Sequence, residues 1–251
     1  MRTAPGARER RARLALPDPA RSIAALVCGG TAVAYSSFVL SAWAGSPLPV
    51  SRGYVSELEA VGQPHRDVFR WADVLSGAGL VVVALIVAVH LVARRHGGLV
   101  GCAMLALAGF ASLLDAANSM SCVPSIDAFC RAQQDTASGL VRQVIAPHTI
   151  SSLLGFLAAA GAMLLVGTAL TTTRPWFSRL SITCSVLTGL LGLGDGVLIV
   201  TDGAVGLTER GRIMVFSVWL LAVGAQLLRP STTRCVVRDA RSTDWSGSID
   251  G

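Results

Sequence analysis

WADVLSGAGLVVVALIVAVHLVA, residues 71–93, decides the fold of this chain. Apart from Asp73 near its start and His90 near its end, the stretch carries no ionisable side chain. A helix rises about 1.5 Å per residue and the hydrocarbon core of a bilayer is about 30 Å thick, so a run of this length and polarity reads as a membrane-crossing helix. Five further windows have the same character: residues 22–44, 99–118, 148–170, 181–201 and 213–228. A transmembrane barrel would instead show short segments of alternating polarity, and none of these windows alternates. The expectation is an all-α polytopic membrane protein, a bundle of six transmembrane helices.

Composition agrees. The 251 residues are 52% hydrophobic and 14% charged, with a mean hydropathy of +0.59. Soluble domains carry about 25% charged residues. All 21 basic residues are arginine, which together with abundant alanine and glycine points to a GC-rich bacterial genome rather than to a function. The net charge of +6 is not a nucleic-acid footprint, because the arginines flank apolar runs and are not interleaved with base-stacking aromatics. The partner that the composition calls for is the lipid bilayer.

Those arginines set an orientation. Arg2, Arg8, Arg10, Arg11, Arg13 and Arg21 precede the first window; Arg94 and Arg95 follow the second; Arg174 and Arg179 follow the fourth; Arg229, Arg234, Arg238 and Arg241 follow the last. The three intervening loops mix arginine with acids. The positive-inside rule then places both termini in the cytoplasm and the odd-numbered loops outside, in a bacterial plasma membrane. A basic start, an apolar run and Ala42-Trp43-Ala44 imitate a cleaved signal peptide, but the apolar run from Ile23 to Leu40 is too long for one, so an uncleaved first span is expected.

Residues 1–21 and 231–251 read as unstructured cytoplasmic tails around a single membrane domain, residues 22–230. The first loop, 45–70, and the third, 119–147, are long enough to form short elements that cap the bundle. Cys28, Cys102 and Cys184 fall inside spans as packing residues, and Cys235 is a tail thiol. Cys122 and Cys130 share the third loop and can close a small disulfide ring in an oxidising compartment.

Polar residues within or beside the spans gather at one level. Asp73 starts the second span, Asp115 and Asn118 end the third, His148 starts the fourth, Asp195 lies in the outer half of the fifth and Arg212 begins the sixth. With the orientation above, all face the outside. Residues three and four apart share a helix face, so Ser76 joins Asp73, and Ser151 and Ser152 join His148. Around Asp195, the run Gly189, Gly192, Gly194 and Gly196 leaves room for a neighbour to approach the carboxylate. Ionisable groups in a bilayer are costly, which makes each a functional candidate. The expected site is an outward-opening polar pocket. The alternative is a set of interfacial and structural pairs.

Catalytic templates fit poorly. Only His65 and His148 lie on the outer side, too few for a confident zinc set, and no metal or other cofactor is expected. No G-x-S-x-G elbow is present to mark a serine hydrolase. Asp115, His148 and Asp195 are the candidates for acid–base chemistry. Internal repeats of the kind many secondary transporters show are absent.

The segment Ser56-Glu57-Leu58-Glu59-Ala60, then Gly62-Gln63-Pro64-His65, Phe69-Arg70 and Asp73, resembles the hallmark of an uncharacterised bacterial membrane family, domain of unknown function 998. Asp115 ahead of Cys122 and Cys130, His148 with Ser151 or Ser152, and Gly206-Leu207 with Arg210 ahead of Trp219 extend the resemblance over most of the chain. It implies a compact six-helix domain whose best-marked residues, Glu57 among them, sit on the outer face. It implies no reaction. A distant likeness to multi-span hydrolases of the ceramidase and progestin-receptor type stops at their several histidines, which this sequence lacks.

Three functions are compatible with the sequence. The first is a membrane protein whose outer pocket binds a small or lipidic ligand. The second is an intramembrane enzyme acting on a lipid or isoprenoid substrate, and the third is a scaffold or complex subunit. Substrate and oligomeric state are not legible.

Overall fold

A computed structural model describes residues 18–92, 95–134, 136, 138–139, 141, 145–201 and 203–229. Both expected tails lie almost wholly outside the described residues, as do Arg94 and Cys235. Seven α-helices are present among them: α1 (Asp18–Tyr35), α2 (Arg66–His90), α3 (His96–Ala117), α4 (Ala128–Gln134), α5 (Pro147–Ala169), α6 (Pro175–Val200) and α7 (Val205–Leu228). The described residues contain no β-strand. Five of the helices, α2, α3, α5, α6 and α7, are long and apolar enough to cross a membrane.

Local chemistry sets several boundaries. Pro147 and Pro175 stand in the first turns of α5 and α6, where a missing N–H costs nothing. At the other ends, free carbonyls are taken by arginine: Arg70 Nε donates to Ala116 O of α3 at 2.8 Å, and Arg95 donates to Ala169 O of α5. Arg174 Nη1 donates to the backbone and side-chain oxygens of Gln226 at 2.9 and 2.8 Å. Gln226, near the end of α7, is thus held by the α5–α6 turn.

The first apolar window, residues 22–44, is not one continuous α-helix. It breaks after Tyr35, and a 3-10 helix, Ser37–Ala42, follows. Three serines, Ser36, Ser37 and Ser41, fall where the α-helix stops, and Ser36 Oγ pairs with Ser217 Oγ of α7 at 2.8 Å. The last helix differs the other way: it begins at Val205, well before the apolar window at 213. Glu209, Arg210 and Arg212 are drawn into its first turns because each finds a partner there.

The long helices form a closed ring in chain order, α1 against α2, α2 against α3, α3 against α5, α5 against α6, α6 against α7, and α7 back against α1. The ring interior is a continuous apolar core that includes Leu80, Val83, Leu105, Met163 and Trp219. Trp219 is fully buried, and its Nε1–H donates to Ser181 Oγ at 2.9 Å. Where α2 and α3 cross, a Cβ on Gly109 would lie 2.5 Å from Gly77 O, so the closeness of the two backbones depends on glycine. The outer surface is apolar as well, with Leu85, Leu107, Leu157 and Leu193 all exposed, as a lipid-facing belt requires.

One end of the ring is capped by the first and third loops. A 3-10 helix, Val55–Glu59, and α4 lie in this cap, which has its own small core of Phe38, Leu48, Leu58, Phe69 and Val123. The disulfide between Cys122 and Cys130 is formed and closes the third loop on itself. Cys28, Cys102 and Cys184 are buried free thiols.

Candidate functional site

Alternating helix directions bring the start of α2, the end of α3, the start of α5, the latter half of α6 and the start of α7 to the capped end. The polar residues read from sequence therefore share one level. They form two clusters.

The first is built on Asp115, near the end of α3. His148 Nδ1 lies 2.7 Å from Asp115 Oδ1. Ser151 Oγ donates to the same oxygen at 2.7 Å, and Ser152 Oγ to Oδ2 at 2.9 Å. With Nδ1 set close against Asp115 but not aligned for a hydrogen bond, Nε2 is the nitrogen that His148 can offer to a ligand. Behind this group, Glu59 of the cap faces Asp73 of α2, carboxyl toward carboxyl, and its Oε2 is buried without a hydrogen-bond partner among the described residues. Burial pushes the Glu59 carboxyl above its ordinary value of 4.5, although the Asp73 contact and the positive charges of His148 and Arg70 pull it back. Ser76, fully buried, donates to Asp73 O at 3.0 Å, as Ser112 does at 3.1 Å.

The second cluster joins α6 to α7. Arg212 Nη1 lies 3.4 Å from Asp195 Oδ2, and the guanidinium sits over the Phe156 ring of α5, 4.6 Å from its centroid. The second oxygen, Asp195 Oδ1, is buried without a hydrogen-bond partner among the described residues. The glycine run acts as expected at one position, since a Cβ on Gly192 would overlap the Phe156 ring. Gly189 and Gly196 face open space.

Both clusters meet a cavity of about 740 Å³ between α5, α6 and α7, roofed by the two cap loops. Asn118, His148, Ser152, Asp195 and Arg212 line it. Asp115 and Ser151 stand behind His148, while Asp73 and Ser76 lie deeper still and do not reach the wall. Glu57 does not line it either: fully buried in the cap, it accepts from Tyr54 N at 3.1 Å and from Ser125 N at 2.9 Å, and also from Ser125 Oγ. Burial raises its pKa, and those three hydrogen bonds oppose the rise. Its position ties the 3-10 helix to the disulfide-closed loop.

The cap is pinned to α7 by two more side chains. Glu209 Oε2 accepts from Val55 N at 2.7 Å. Arg210 Nη1 donates to Val50 O, Gly53 O and Gly206 O, each at 2.8 Å. Gly206 must be glycine, because a Cβ there would stand 2.5 Å from Gly53 O.

A family model described as a protein of unknown function, DUF998, matches residues 28–226. The chain belongs to the DUF998 family. No curated protein and no solved structure matches it. In this DUF998 member the sequence motif around residues 56–73 is chiefly cap architecture, with Glu59 and Asp73 facing each other at its base. Phe156 and Glu209 are among the cavity residues missed from sequence. A signal existed for Glu209: Val205, Glu209 and Arg212 are spaced four and three apart and so share a helix face, and all three line the cavity. It goes unseen while those residues are counted as loop.

Proposed function

We propose that this integral membrane protein spans the bilayer six times, with both termini in the cytoplasm, and uses the capped cavity to bind a small or lipidic ligand from the extracytoplasmic side. The observation that carries the reading is the joint arrival of His148, Asp195 and Arg212, from three helices, on the wall of one cavity. A purely structural ion-pair set has no need of a cavity of about 740 Å³, a volume within the usual range for ligand sites. The α1 helix supports the sixth span, since its 18 residues would rise about 27 Å and it closes the ring between α2 and α7. The Cys122–Cys130 disulfide supports an outward cap, because such bonds persist in oxidising compartments. Arg95 and Arg174 at the other end, with no acid in either turn, support a cytoplasmic face there.

The test is the thermal unfolding midpoint of purified protein against Asp195→Asn and His148→Ala, with and without lipid extracts. An extract that stabilises wild type but neither variant upholds the pocket. The same loss of midpoint in every condition makes the cluster structural and ends the proposal.

A second reading is favoured by the Asp115–His148 contact alone. A carboxylate 2.7 Å from Nδ1 leaves Nε2 as the general base or acid for the cavity side, the arrangement an enzyme acting on a lipid or isoprenoid would use. It requires that Asp115→Asn abolish turnover of a ligand that still binds.

A further inference from the structure

The wall shared by α6 and α7 carries two unmet demands. Asp195 is 8% exposed, lines the cavity, and holds one carboxylate oxygen, Oδ1, with no donor among the described residues. A buried acceptor left so carries an uncompensated desolvation penalty. Arg212 has five N–H donors, and its ion-pair contact among the described residues is the 3.4 Å approach of Asp195 Oδ2. Its flat face is spent on Phe156, which leaves the edge of the guanidinium for an oxyanion.

The charges on this wall are two carboxylates, Asp195 and Glu209, and one guanidinium; the His148 imidazole across the cavity is balanced by its own partner, Asp115. A purely anionic ligand would reach Arg212 at the cost of repulsion from both acids. A purely cationic one would suit Asp195 and leave Arg212 without an oxyanion. A group that bears an N–H-rich cation a few bonds from an oxyanion meets both demands. The cation has to donate hydrogen bonds, so a primary ammonium fits and a trimethylammonium, which has no N–H, does not.

The remaining lining supplies the apolar side. Leu153 of α5 and Ile199 of α6 line the cavity and are 56% and 54% exposed, so the cavity wall runs onto the apolar outer surface between those helices. Resting on the pocket reading above, we propose that the cavity takes a zwitterion with a primary ammonium group beside a phosphate or carboxylate, the ammonium on Asp195 and the oxyanion on Arg212. The same chemistry is offered by an aminophospholipid head group and by a free water-soluble zwitterion.

The experiment measures binding and unfolding midpoint of the full chain in detergent with four lipids: phosphatidylethanolamine, its N-acetylated form, phosphatidylcholine and phosphatidylglycerol. Phosphatidylethanolamine is expected to bind at least about tenfold more tightly than the other three, each of which lacks the ammonium N–H donors. Asp195→Asn should erase the preference over the N-acetylated lipid. If that variant does not fold, the wild-type ranking still decides. Competition by glycerophosphoethanolamine at equal concentration would assign the zwitterion to a soluble source, and its failure to compete would assign it to the bilayer. Equal binding of phosphatidylglycerol or phosphatidylcholine overturns the zwitterion while leaving the pocket. Binding of none of the four, with a mixed extract still stabilising wild type, overturns it as well; silence from every extract removes the pocket reading too.

Discussion

Glu59 shows how one side chain can carry a condition of the whole cap. Its carboxyl is buried and held above the ordinary value of 4.5, so the folded state favours the protonated acid. The stability this group contributes is therefore fully present below 4.5 and is lost as pH rises through the raised value. The unfolding midpoint should fall as pH rises from 4.5 through the raised value and level off above it, and Glu59→Gln, a neutral isostere, should fall less over the same range. Identical profiles would mean that the carboxyl is ionised in the folded protein. The partnership itself could not be read from the sequence: Glu59 and Asp73 were each visible, but no periodicity relates a loop residue to a helix start. Glu57 illustrates the same limit, since an acid in a loop gives no sign of whether it faces a cavity or accepts hydrogen bonds from Ser125.

Elements were legible where apolar length alone decides them. The windows for α2, α3 and α5 agree with the helices to within a few residues, because nothing polar interrupts their centres. Hydropathy failed at both ends of the ring for opposite reasons. It ran α1 through Tyr35, where the helix gives way to a 3-10 turn, and it stopped α7 short of Glu209, Arg210 and Arg212, whose charges are paired or hydrogen-bonded inside the first turns. The third loop is a case where sequence spacing sufficed, and its disulfide can be tested as an element. Closing so short a ring stabilises by roughly 2–3 kcal/mol on chain entropy alone. Cys122→Ser with Cys130→Ser should lower unfolding free energy by about that amount. It should also speed proteolysis within residues 119–134, since Ser125, the partner of Glu57, lies inside the ring. Unchanged cleavage would show that Glu57 and the Val61 N to Met120 O bond hold the loop unaided.

At the scale of the molecule, the level of the site was legible because alternating spans put every described acid between residues 22 and 228 at one end, and the ionisable residues in the loops at the other end are arginine and histidine alone. The convergence of particular side chains was not, since it depends on the rotation of each helix about its axis. Orientation can be measured directly. In intact cells carrying Cys235→Ser, a membrane-impermeant maleimide should label Ser51→Cys in the cap and leave Thr172→Cys in the α5–α6 turn unlabelled until the membrane is opened; both positions are exposed. The reverse pattern would place the cap in the cytoplasm and remove the outward pocket.

The closure of the ring by its first and last helices also fixes an order of assembly. During synthesis α1 leaves the ribosome long before α7, the neighbour it packs against. Until α7 inserts, Val50 and Gly53 lack the arginine that anchors them, Val55 lacks Glu209, and the cavity has neither Arg212 nor a third wall. A nascent chain that stalls before Val205 is thus a membrane-embedded open ring, one helix short, with a loose cap and no site, recognisable as unfinished by any quality-control protease on that face of the bilayer.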